Sequence, residues 1–102
     1  PMEYAPRKIK LPDSWEEKEG LKVPKSWIDS NHHVNNSQYV RQAWNELPLY
    51  TKIQQVRVEY KNSAKLGDLM IPRMSVEEER IVAELCDETR KPYAVVEFKI
   101  KK

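Results

Sequence analysis

Apolar residues recur at helical spacing between Tyr39 and Leu47. Tyr39, Val40, Ala43, Trp44 and Leu47 share one side, and Pro48 ends the run. Asn35 stands where an N-cap belongs, and Gln38 three residues on completes a capping-box pattern. The spacing predicts one amphipathic helix of about 12 residues with a bulky apolar face. After Pro48 the period drops to two. Val56, Val58 and Tyr60 alternate with Gln55, Arg57 and Glu59, the mark of a half-buried strand. Leu66-Gly67-Asp68 reads as a turn, and residues 69–76 as a second strand in which Pro72 implies an edge or a bulge. Glu77-Glu78-Glu79 turns the chain again. Residues 81–86 make a third strand, 87–92 a loop, and 93–100 a fourth strand with Ala94, Val96, Phe98 and Ile100 on one face.

A helix with one apolar face must bury it, and the only partner this order offers is the concave side of a curled antiparallel sheet. That is an α+β layer pair, the element order of the hotdog fold, in which a sheet wraps one long helix. Tyr39, Trp44, Val58 and Phe98 are its core candidates. Ahead of the domain, at 25–102, lies a stretch punctuated by Pro1, Pro6, Pro12 and Pro24, with Trp15 and Leu21 as possible anchors. Proline at this density predicts a linker or a strap over residues 1–24 instead of regular structure. Residues 25–29 read as a short strand leading to the helix.

Length and charge narrow the picture. The 102 residues suit one domain. With 18 basic and 16 acidic side chains the formal charge is +2, and the pI of 8.8 comes mainly from Arg7, Lys8, Lys10, Lys99, Lys101 and Lys102 at the two ends. A nucleic-acid surface needs a clustered basic stripe, so that partner is not expected. Cys86 is alone, which removes an internal disulfide framework and a cysteine zinc site; after an apolar run it reads as a small buried hydrophobe. No apolar run approaches the roughly 20 residues that cross a bilayer, and no signal pattern opens the chain. A cytoplasmic protein without membrane contact is therefore expected. The Asn35-Asn36-Ser37 sequon carries little weight without a secretory route, and the start at Pro1 suggests an excised domain.

The candidate chemistry lies in Asp29-Ser30-Asn31-His32-His33-Val34-Asn35-Asn36, immediately before the helix. In an extended stretch Asp29, Asn31 and His33 would point one way and His32 the other. The helix would aim its first backbone N–H groups, around Asn36 and Ser37, at the same spot. A base beside an anion-stabilising helix end suits attack on a carbonyl. By itself, an aspartate before a helix is more often a turn or cap residue. Adjacent histidines diverge on a strand, so His32 and His33 make no metal site.

Asp-x-Asn-x-His-Val-Asn-Asn followed by Tyr39 resembles the signature of the acyl-acyl carrier protein thioesterases, in the second of their two hotdog domains. Arg7-Lys8-Ile9-Lys10-Leu11-Pro12 is similar to the linker between the two hotdogs, and Val58-Glu59-Tyr60-Lys61 through Gly67-Asp68 to the strand and turn after the helix. The resemblance implies the C-terminal half of a double-hotdog parent that hydrolyses fatty acyl thioesters on acyl carrier protein, without cofactor or metal. Asp29, Asn31 and His33 match the family's catalytic aspartate, asparagine and histidine. Other hotdog thioesterases, acting on coenzyme A esters, carry a similar His-Val-Asn-Asn segment and form the alternative.

Two departures stand out. Ser63 and Ala64 occupy the places of a glutamate and a cysteine in the plant enzymes, and Trp27 that of an acid two positions before Asp29. Asp29 or His33 must then activate water, or the chain is a non-catalytic acyl-binding or dimerising module. A lone hotdog also leaves strand edges and apolar surface open, so a homodimer is expected.

Overall fold

The computed structural model describes residues 9–101; Arg7 and Lys8 of the linker-like segment lie outside the described residues. Two short strands, β1 (Glu16–Glu17) and β2 (Leu21–Lys22), precede a 3-10 turn at Lys25–Trp27 and the helix α1 (Asn36–Asn45). Then come β3 (Ile53–Tyr60), β4 (Leu69–Val76), β5 (Arg80–Cys86) and β6 (Pro92–Ile100). All pairings are antiparallel, in the order β1-β4-β5-β6-β3, and β2 also pairs with β4. With one helix against a curled sheet, this is the hotdog arrangement expected from the element order.

The inner face of the sheet is built by cross-strand register. Met74, Ala83, Val96 and Val58 stand opposite one another across β4, β5, β6 and β3, and the next row brings Ile81, Phe98 and Val56 together. From α1, Tyr39 and Ala43 are buried against this face. Ala43 is fully buried, and its single methyl allows close approach of helix and sheet. Trp44 departs from expectation: it is 50% exposed, with its ring edge-on to Phe98 at 5.7 Å. One residue is a 100° rotation, so once Ala43 faces the sheet squarely Trp44 is carried to the flank.

Residues 9–24 contain more structure than their prolines predict. β1 and β2 flank β4 on its open side, and Pro72 falls in the break between them, where its carbonyl accepts Lys18 N–H at 2.7 Å. The missing proline N–H is not required there. Gly20 passes so close that an added Cβ would sit 2.9 Å from the Ile71 side chain. On the outer face Ile9 is buried with Val82 and Val95, and Trp15 packs beside them. This cover buries β5 and β6 on both faces, where alternation predicted only one. It also encloses two carboxylates. Glu97 is bridged by Arg57 and Arg80, each at 2.7 Å, and Glu84 by Arg73 at 3.0 Å. Burial pushes Glu84 above the usual carboxylate range, and Arg73 opposes it.

Residues 25–29 are not a strand. Pro24 opens a 3-10 turn, and Ile28 then makes a single antiparallel bridge to Val34.

Candidate active site

The chain reverses between Ile28 and Val34. Asp29 N–H donates to His33 C=O at 2.9 Å, His32 N–H donates to Asp29 C=O at 3.1 Å, and His32 adopts a left-handed φ of 64°. The motif is thus a tight turn, and the alternation of an extended stretch does not govern which way its side chains point. Its sequence favours the turn: Asp29 Oδ1 accepts Asn31 N–H at 2.8 Å and lies 3.5 Å from His33 N, as short polar side chains do at chain reversals. Asp29 is half-buried, whereas Asn31 and His33 are exposed. Among the described residues, neither the Asn31 carboxamide nor the His33 imidazole has a hydrogen-bond partner.

Hydrophobic packing anchors the loop to the helix start. Val34 is 3% exposed and packs in the cluster that holds Tyr39, Ala64 and Leu85, with Trp27 and Ile28 against its margin. Trp27, where the resembled family has an acid, therefore serves as an apolar support here.

Asn35 caps α1, but the rest of the expected capping geometry differs. Its Oδ1 accepts Ser37 N–H at 3.0 Å and Ser37 Oγ–H at 2.8 Å. The Ser37 amide, expected as an oxyanion donor, is therefore committed to the cap. Asn36 N–H has no hydrogen-bond partner among the described residues and is the donor left open at the helix start. The capping box does not close either, because Asn35 N–H already donates to Trp27 C=O at 2.9 Å. Gln38 Oε1 is left buried without a partner among the described residues.

A contact invisible in the sequence ties these parts together. Ala64 N–H donates to Tyr39 Oη at 2.9 Å, and Val34 N–H donates to Ala64 C=O at 3.0 Å. The helix, the β3–β4 connection and the motif loop thus meet at Ala64. Burial pushes the Tyr39 phenol above its ordinary value, opposed by the Ala64 N–H, so at neutral pH it stays protonated. Ser63, next along, lines a surface cleft of 610 Å³ with Lys22, Lys65, Lys91 and Asp87; Asp29, Asn31 and His33 do not line it. Cys86 is buried, and its thiol, pushed up to about 11 by burial, is no nucleophile at neutral pH. Among the described residues no group of three or more His, Cys, Asp or Glu could hold a metal, and no helix is long and apolar enough to cross a membrane.

Residues 10–100 match the family described as acyl-ACP thioesterase C-terminal domain. The chain belongs to that family. A comparison with curated proteins finds no significant match. Among solved structures, the chain is similar to an acyl-ACP thioesterase from Bacteroides thetaiotaomicron, with a TM-score of 0.74 and 18% identity over 91% of this chain and 42% of that one. It thus spans less than half the length of that relative. Smu.793 from Streptococcus mutans, solved with acetyl CoA, has a TM-score of 0.69 and 10% identity over 92% of this chain and 94% of that one. The E. coli PaaI protein of the phenylacetic acid degradation operon also has a TM-score of 0.69, with 11% identity over 92% and 80%. At these identities the likeness is one of fold: the thioesterase hotdog. Of the two positions where the resemblance led to an expected acid, Trp27 packs against the apolar cluster around Val34 and Ser63 lines the surface cleft.

Proposed function

We propose that the chain is the catalytic hotdog of a thioester hydrolase acting on fatty acyl groups carried by acyl carrier protein in the cytoplasm. The observation that carries this reading is the family match over residues 10–100 together with the placement of Asp29, Asn31 and His33 on a turn that ends at the helix start. In the proposed step a water oxygen attacks the thioester carbonyl, the C–S bond breaks, and the carrier thiolate takes up the proton that the base removed from water. His33 is the exposed imidazole that takes that proton from water. Asp29 holds the turn that presents it, and Asn31 orients water or carbonyl. Asn36 N–H faces the developing oxyanion; one such donor is worth about 10²- to 10³-fold in rate. No carboxylate at Ser63 is required.

His33→Ala is expected to lower turnover of acyl-acyl carrier protein by about 10²- to 10⁴-fold with an unchanged circular dichroism spectrum, because the side chain is exposed and unpartnered. Asp29→Ala should lower turnover too, through a loosened turn. Equal turnover in both variants and the parent would remove the catalytic assignment. A second reading, a coenzyme A thioesterase, is favoured by the likeness to a chain solved with acetyl CoA. Turnover of one acyl chain on both carriers separates the two: preference for coenzyme A overturns the carrier-protein assignment. We further propose that a lone copy pairs with a second one, since β3 ends the sheet on one side.

A further inference from the structure

The motif turn is fastened to the rest of the domain at one point. Among the described residues, the hydrogen bonds of residues 28–35 stay within the stretch 24–39 with one exception, Val34 N–H to Ala64 C=O at 3.0 Å. That bond, and the packing of Val34 in one cluster with Ala64, sets where the turn sits. Ala64 itself belongs to no strand and lies in the connection between β3 and β4. Its C=O is given to Val34, and its N–H donates to Tyr39 Oη at 2.9 Å.

Tyr39, Ala64 and Val34 thereby close a ring. It runs along the chain from Val34 to Tyr39, crosses from the Tyr39 hydroxyl to Ala64 N–H, and returns from Ala64 C=O to Val34 N–H. His33 is attached to the ring at Val34, and Asn36, whose N–H is the donor left open at the helix start, is a member of it. Each peptide unit is rigid, so the spacing of His33 and Asn36 varies only through backbone rotation at the residues between them. The ring removes that freedom by tying Val34 back to the first turns of α1. Its hydrogen-bonded members are sealed from water: Tyr39 is 1% exposed, Val34 3% and Ala64 0%. Solvent does not replace a partner lost there.

We propose that Tyr39 is a positioning residue whose hydroxyl, acting through Ala64, holds His33 at a fixed place relative to Asn36 N–H. The proposal rests on the thioester hydrolase reading, in which one of these groups activates water and the other receives the oxyanion of the same thioester. Tyr39 touches no substrate in this role. Its ring fills the core, and its oxygen sets the distance between two groups that do the chemistry.

Tyr39→Phe keeps the ring contacts with Tyr60 and Tyr93 and removes the acceptor alone. Val82→Ala, on the outer face with Ile9 and Val95, is the control that weakens the core without touching Tyr39, Ala64 or Val34. Amide hydrogen exchange followed by NMR tests the placement without reference to turnover. Val34 N–H is the diagnostic amide, because neither substitution removes its own acceptor. Relative to the amides of β5, it should exchange about tenfold faster in Tyr39→Phe than in Val82→Ala. Equal rates overturn the proposal. Turnover of dodecanoyl thioesters of acyl carrier protein and of coenzyme A tests the role, at a temperature where all three proteins are folded. In Tyr39→Phe, kcat should fall by about 10- to 100-fold, since a misplacement of about 1 Å costs on the order of 10²-fold. KM should stay as in the parent, and Val82→Ala should keep both constants. An unchanged kcat, or a change confined to KM, overturns the positioning role. Fast exchange at Val34 in a protein whose parent hydrolyses neither ester upholds the placement and removes the hydrolase reading alone.

Discussion

Tyr39 shows how much one side chain contributes at the residue scale. Periodicity marks it as core, and its ring is indeed 1% exposed between Tyr60 and Tyr93. Its hydroxyl, however, is the acceptor for Ala64 N–H, and Ala64 C=O holds the end of the motif turn. Tyr39→Phe keeps the packing and strands a buried N–H, a loss typically of about 1–3 kcal/mol. Urea denaturation should show a midpoint lowered accordingly at unchanged slope, and an unchanged midpoint would mean that the contact does not contribute. Ser63 and Trp27 teach the opposite lesson. Their identities are legible in the chain, but whether a missing acid is compensated depends on what surrounds the position. Around Trp27 that is an apolar cluster, and beside Ser63 a polar cleft.

At the scale of elements, strands with clean alternation were the most legible. β3, β4, β5 and β6 lie where period-2 runs and turn residues place them, because a strand's side-chain alternation follows from backbone geometry alone. The helix was equally clear, and its N-cap more so than its capping box. Asn35→Ala removes the acceptor shared by Ser37 N–H and Ser37 Oγ–H, which should cost about 1 kcal/mol. Asn35→Asp or Asn35→Ser should restore most of it, as a thermal melt would show; an alanine variant as stable as the parent would contradict the cap. Ahead of the helix the sequence suggests extended backbone at residues 29–33, and the structure has a turn there. Its five turn residues carry polar side chains that can serve either conformation, and the choice falls to the Ile28–Val34 bridge and the burial of Val34.

The whole molecule is governed by what covers the two faces of its sheet. Ile9 and Trp15 cover part of the outer one, with Arg73 stacked over the Trp15 ring at 5.1 Å, and the helix covers the inner one. The edge at β3 and the Leu49–Tyr50 loop are left uncovered in a single copy. Light scattering at micromolar concentration is therefore expected to report twice the mass of the 12.1 kDa chain. A monodisperse monomer would contradict the pairing, whatever the catalytic activity proves to be.

Local order along the chain was enough to determine the helix, the four long strands and the sheet that receives the helix, since hydrophobic period, turn residues and a capping asparagine act within a few residues of one another; it left Asp29, Asn31 and His33 on extended backbone where the structure has a turn. Only the folded chain decided that this turn is closed on itself, that Ser37 N–H is used by the cap while Asn36 N–H stays open, and that Ala64 joins helix to motif. Those outcomes depend on hydrogen bonds between groups as far apart as Val34 and Ala64, or Tyr39 and Ala64. Partners at such separation are chosen by packing, and no pattern of neighbouring residues encodes them.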